Sequence, residues 1–206
     1  MEQLYLMHFQ KTGNARFLSH LDSARLFVRA FRRARLPLKF SEGFHAHPKV
    51  RFSPPLSVGV ESLCEECVFT LIDEVRTSEE LLDAIRQGMA DGFVPTDLSP
   101  IEKKPDAAPF ARYEIAFPVP EETLKDSLTA PMTVTKKTKS GEKELDIFPH
   151  LVFEDVKKAD GGCTLTVLAP SGESLTVNPT LICTALKQKN DLLIPARILK
   201  VAAVTQ

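Results

Sequence analysis

Arg16, Arg25, Arg29, Arg32, Arg33, Lys39, His45, Lys49 and Arg51 stand within 36 residues of one another near the start of the chain. Side chains of this kind pair with phosphate or carboxylate oxygens, and a helix beginning at Ser19 would add unpaired backbone N–H groups. The set therefore reads as an anion- or nucleic-acid-binding surface. Two other chemistries are open to the same stretch. His45 and His47, two residues apart, share one face of an extended segment, and with His20, Asp22 or Glu61 they are candidate metal ligands. No acid stands at a dedicated ligand spacing, so no metal and no cofactor is expected. His20 with Asp22, or His45 with Glu61, would form an oriented acid–base pair, which makes His20, Asp22, His45 and Glu61 the candidate catalytic residues. His20 and Asp22 also have a purely local reading as polar residues of a helix first turn, where the dipole favours an acid. The anion site needs the fewest coincidences.

The whole-chain charge conceals this surface. The 206 residues carry 26 Lys and Arg against 27 Asp and Glu, a net charge of −1. Residues 1–60 hold 10 basic and 3 acidic side chains, residues 61–130 hold 6 and 16, and residues 131–206 hold 10 and 8, so near-neutrality is a cancellation. An apolar content of 43% supplies a core and excludes a wholly disordered chain. The length suits one large domain or two of about 100 residues. No apolar run approaches the roughly 18 residues of a membrane span, and Met1-Glu2-Gln3 does not open a signal peptide, so a cytoplasmic protein without membrane contact is expected. Cysteines in that compartment stay reduced. Cys64 and Cys67 form a C-x-x-C without a second pair, at a spacing that puts their sulfurs on opposite faces of a strand, and read as incidental thiols.

The elements that must position these residues follow from pattern. Leu4–Phe9 reads as a strand. Ser19 and Asp22 resemble a capping box with Asp in place of Glu, opening a helix that runs to about Arg35 and stops before Pro37. Leu21, Ala24, Phe27, Val28 and Phe31 form its apolar stripe, while Arg25, Arg29, Arg32 and Arg33 gather elsewhere with no acid at i, i+4 to pair them. Strands at Val50–Ser53 and about Cys67–Ile72, a helix from Thr77 to about Ala90 and an edge strand Phe93–Leu98 complete a βαββαβ order, the ferredoxin-like unit, over residues 1–98. Residues 99–110, with three prolines, read as a linker.

A second round follows over residues 111–206. It comprises a strand Tyr113–Val119, a helix Glu121–Leu128, a hairpin Met132–Lys139 with Glu142–Phe148 across Ser140-Gly141, a strand Cys163–Leu168, a helix begun by Asn178-Pro179 and a strand Ile198–Val204. The expected fold is α+β: two tandem ferredoxin-like sandwiches with mainly antiparallel sheets.

Four segments carry a more specific signal: Arg16-Phe17-Leu18-Ser19-His20-Leu21-Asp22, Leu36 to His45, Pro48-Lys49, and Phe52-Ser53-Pro54-Pro55-Leu56 to Ser62. Read in order, they resemble the N-terminal region of the radical SAM-associated family of unknown function, in its stand-alone form. Lys143-Glu144-Leu145-Asp146-Ile147 after a Gly turn is similar to that family's lysine-rich hairpin. After Gly43-Phe44-His45 the family has Pro and a basic residue, whereas this chain has Ala46 and His47, a departure that sets His47 apart. The resemblance implies a radical-SAM partner that carries the chemistry. The sequence contains no C-x-x-x-C-x-x-C for the cluster itself, in line with that division.

The expected function is a non-catalytic accessory module of a radical-SAM system, binding its partner protein, an RNA-type polyanion, or both through the basic N-terminal surface, its helix and the Phe44–Lys49 loop. The alternative is a His- or metal-dependent RNA-processing or RNA-modifying enzyme. With no Trp, only Tyr5 and Tyr113, and no RNP-like text, RNA recognition is expected to rest on phosphates and shape rather than base stacking.

Overall fold

In the computed structural model, which describes residues 1–138, 141–172 and 175–205, the alternation of Tyr5, Met7 and Phe9 builds the first strand, β1 (Glu2–Lys11), and buries the three on one face. Then follow α1 (His20–Arg33), β2 (Val50–Phe52), β3 (Val60–Ile72), α2 (Ser78–Gly88) and β4 (Phe93–Ile101). These elements make the first of two units, Met1–Ala107. Its strands lie in the order β4-β1-β3-β2, each antiparallel to its neighbour. The register sets Tyr5 opposite Phe69 and Met7 opposite Cys67, and all four join a core with Phe27 and Phe31 of α1 and Leu81 and Ile85 of α2.

The start of α1 is capped on one side only. The Asp22 N–H donates to Ser19 Oγ at 3.1 Å, while the Ser19 hydroxyl donates to the Asp22 carboxylate at 2.7 Å instead of the acid reaching back to backbone. The buried residues of α1 are Phe27, Ala30 and Phe31, and Leu21, expected in the stripe, is exposed. At about 100° per residue, Leu21 lies roughly 120° from Phe27 around the helix and misses the sheet. In α2 the box closes fully between Thr77 and Glu80. β3 runs seven residues ahead of its expected start because its first half, Val60–Glu66, contains the polar residues Glu61, Ser62, Glu65 and Glu66, three of which are buried. Gly92 is required where it stands: at φ +85° a Cβ would meet the Thr12 carbonyl oxygen at 2.6 Å, and that turn is tied by Thr12 N–H donating to Gly92 O at 2.8 Å.

The end of α1 is fastened by an ion pair. Glu74 accepts two N–H bonds from Arg76, at 2.9 and 2.6 Å, and the backbone N–H groups of Val75 and Arg76, while the same guanidinium donates to the Ala34 and Arg35 carbonyls. Hydrogen bonding from Arg76 holds the Glu74 carboxyl down at about 2, against an ordinary 4.5. A carboxyl depressed in the folded state contributes stability that is fully present above its unfolded value and lost as pH falls through the folded one. The Arg76 side chain is 30% exposed, so the pair is partly screened. Glu74→Gln is expected to cost about 1–2 kcal/mol at neutral pH. In urea unfolding the gap to wild type should close between about pH 5 and pH 2, and a gap independent of pH would refute the assignment.

The second unit, Ala108–Gln206, comprises β5 (Phe110–Phe117), α3 (Glu121–Lys125), β6 (Thr133–Thr138), β7 (Gly141–Asp146), β8 (Val152–Ala159), β9 (Gly162–Pro170), α4 (Pro179–Lys189) and β10 (Arg197–Val204). Its main strands lie in the antiparallel order β10-β5-β9-β8. The hairpin β6–β7 forms a two-stranded sheet of its own, closed by Asp146, whose Oδ1 accepts the Met132 and Phe148 N–H groups. Of the turn expected at Ser140-Gly141, Gly141 opens β7, while Ser140 and Lys139, the expected end of the preceding strand, lie outside the described residues. β8 was not anticipated. It is mostly exposed and rich in charge, so it lacks the apolar alternation of a half-buried strand. α4 begins as expected, with Asn178 Oδ1 accepting the Thr180 N–H and Pro179 in the first turn. The chain is thus a mixed α+β protein with mainly antiparallel sheets. Among the described residues no helix is long and apolar enough to cross a membrane.

Candidate functional site

The segments 11–23 and 52–65 meet at one end of the first unit's sheet. Lys11, the last residue of β1, is buried, and its ammonium donates to the Leu18 carbonyl at 2.9 Å. Glu65, also buried, accepts the hydroxyls of Ser53 and Ser62, each at 2.8 Å. Glu61 accepts the Gly13 N–H at 2.7 Å and lies 3.4 Å from the Arg16 guanidinium. Lys11, His20, Ser23, Ser53, Leu56 and Glu65, with three Phe rings, line a cavity of about 30 Å³, which has room for about one water. Burial pushes the Lys11 ammonium down from its ordinary value, and the Glu65 charge opposes that shift. The polar groups here stitch loops together around a water-sized space.

A larger opening lies on the other face of the sheet. Tyr5 and Phe69 point into the helix-side core, so Leu4, Val68 and Thr70 point away from it. They floor a cavity of about 460 Å³ whose walls carry His47, Lys49, Arg51 and Lys104, together with Ser41, and no carboxylate lines it. Arg51 is placed by β2, opposite Val68. Lys49 is placed by its N–H, which donates to the Lys39 carbonyl at 2.8 Å. Lys49 and Arg51 are exposed and make no ion pair within 4 Å among the described residues. Glu2, outside the lining, has its carboxyl lowered by a hydrogen bond from Lys39 first, and the nearby Lys49 charge helps.

The remaining sequence-selected residues divide. Arg25 is paired with Asp22 at 3.3 Å, three residues back rather than four, so the α1 arginines are not all unpaired. Arg33 donates to the Gly88 carbonyl. Arg29 and Arg32 are exposed without an ion-pair partner among the described residues, but α1 packs on the core face, opposite the groove. Lys39 pairs with Glu2 at 2.5 Å, and that hydrogen bond lowers the Glu2 carboxyl. The nine-residue set is therefore not one surface: only Lys49 and Arg51 of it line the groove. Arg16 is committed to Glu61, and its guanidinium lies 4.7 Å from the Phe17 ring centroid.

Neither acid–base pair is formed. The His20 ring stands edge-on to Phe52, 5.8 Å between centroids, while Asp22 serves Ser19 and Arg25. The His45 ring is exposed and without a side-chain partner among the described residues, and Glu61 is buried on Gly13 and Arg16. His47 turns Nδ1 to the His45 carbonyl at 2.9 Å and to Ser41 Oγ at 3.3 Å, not toward the His45 ring. No three His, Cys, Asp or Glu side chains converge among the described residues. Cys67 is buried, its thiol pushed well up by desolvation, while Cys64 is half-buried beside Ser62. Sequence reasoning missed Lys104, which only folding brings to the groove, and Lys11 and Glu65, whose burial no local signal announced.

A family model described as "Uncharacterized protein conserved in bacteria (DUF2344)" matches residues 5–179. No curated protein matches the chain. Among solved structures the chain is similar to the crystal structure of an unknown protein from Galdieria sulphuraria, at 11% identity over 93% of each chain with a TM-score of 0.30.

Proposed function

We propose that this chain, which belongs to the family of proteins conserved in bacteria described by DUF2344, is a non-catalytic accessory module that binds an RNA-type polyanion through its first unit. One observation carries the reading: a groove walled by His47, Lys49, Arg51 and Lys104 with no carboxylate in its lining. Clustered cations that outnumber the carboxylates near them neutralise phosphates and release their counterions. The βαββαβ order with strands in the sequence 4-1-3-2, present in both units once the β6–β7 hairpin is set aside, supports a pair of ferredoxin-like sandwiches. A radical-SAM protein as the working partner is supported by the motif text at 16–62. The enzyme alternative draws only on His20, which lines the small cavity with Lys11 and Glu65.

Salt-titrated binding of bulk RNA tests the groove. Lys49→Ala with Arg51→Ala is expected to weaken binding and to flatten the log–log salt slope by about 0.7 for each single-strand phosphate that is no longer neutralised. Arg29→Ala with Arg32→Ala, on the opposite face, is expected to change the slope less. Binding that ignores the groove substitutions would overturn the proposal.

A further inference from the structure

Resting on that polyanion reading, we infer that the groove takes single-stranded RNA, one nucleobase stacking on Phe44 while neighbouring phosphates lie against Lys49 and Arg51. Phe44 is fully exposed, more so than any other Phe or Tyr ring among the described residues, and has no ring partner there. It stands on a built loop. Phe40 and Pro48 bridge its base, Ser41 N–H donates to the His47 carbonyl at 2.8 Å, and His47 N–H donates back to Ser41 Oγ at 3.1 Å. Gly43, in the left-handed region at φ +111°, turns the chain at the tip just before Phe44. Phe44 stands three positions before His47, a wall of the groove, so their Cα atoms are at most roughly 11 Å apart.

An aromatic ring held in water beside unpaired cations is the combination that single-stranded nucleic acid uses: a π face for a base and charge for the backbone, with little sequence preference. A duplex keeps its bases stacked inside and offers Phe44 no face. The expectation from composition, that phosphates and shape would dominate over stacking, weighed Trp and Tyr and took Phe44 only as part of the binding loop 44–49, not as a stacking ring.

The chain has no Trp, so Phe44→Trp introduces a single indole at the stacking position. Titrating it with an oligouridine of about 10 nucleotides should quench its emission, and an RNA duplex of equal length should not. Phe44→Ala should bind the single strand roughly 5- to 150-fold more weakly, with its salt slope and the duplex affinity unchanged. Lys49→Ala with Arg51→Ala should flatten the slope for both RNAs. If Phe44→Ala binds the oligouridine as wild type does while the cation variants still lose slope, stacking falls and the groove reading stands. If wild type binds neither RNA, both fall.

Discussion

Phe27→Ala is expected to lower the stability of the first unit by about 3–5 kcal/mol, a fall of roughly 2 M in its urea midpoint at an m-value of about 2 kcal/mol/M. Phe27 is wholly buried and central to a ring cluster, with centroids 4.6 Å from Phe9, 5.1 Å from Phe52, 5.3 Å from Phe93 and 6.1 Å from Phe31. These rings come from β1, β2, β4 and α1, so truncation opens a cavity that no single element can relax to fill. Phe27→Leu should lose appreciably less, because it retains most of the volume. The chain has two units, so circular dichroism alone would mix two transitions. Hydrogen exchange of the intact chain separates them: protection should drop in β1, α1 and β3 and hold in β5 and β9. A midpoint shift below about 0.5 M, or loss of protection in the second unit instead, would contradict the ring cluster as the organising core.

Phe27 and Phe31 were legible from helical spacing alone, and so were most elements whose apolar residues follow one period. What escaped did so for physical reasons. β8 is charged along most of its length, and the first half of β3 buries Glu61, Ser62 and Glu65, so neither shows the alternation by which strands are recognised. The Asp22–Arg25 pair spans three residues where only four had been considered. Lys49 and Arg51 were identifiable as candidate anion ligands because they are close in sequence. Lys104 was not, since it follows β4, at the edge of the sheet opposite β2, and joins the lining only in the folded unit. Sequence proximity also suggested too much: helix and strand alternation sends the α1 arginines and Arg51 to opposite faces of one sheet. Phe44 was legible as part of the binding loop 44–49, but its full exposure was not, since composition does not reveal which few rings a loop leaves in water.

Charges in a core are the hardest feature to anticipate, and Glu65 is the residue whose loss should show what they do here. Lys11 and Glu65 are both about 95% buried, on adjacent strands of the sheet, and line one water-sized cavity. Glu65→Ala would strip the acceptor from the Ser53 and Ser62 hydroxyls and leave the Lys11 ammonium desolvated without the carboxylate that opposes its shift. Removing one partner of a buried pair costs about 3–5 kcal/mol, whereas replacing both by apolar groups of similar size is often near neutral. Lys11→Met combined with Glu65→Leu should therefore recover much of the loss, less the cost of two orphaned hydroxyls. The pH dependence has a definite sign. Burial lowers the folded Lys11 value below the ordinary 10.5, so between the two values the unfolded chain holds more protons and stability rises with pH. In Glu65→Ala the lowering deepens, and the deficit against wild type should narrow as pH is raised toward 10.5. Urea unfolding of both proteins from pH 7 to 10 measures this. A deficit that stays constant or widens would mean that the variant's instability comes from the lost serine hydrogen bonds alone, and that Lys11 is already neutral in the folded protein.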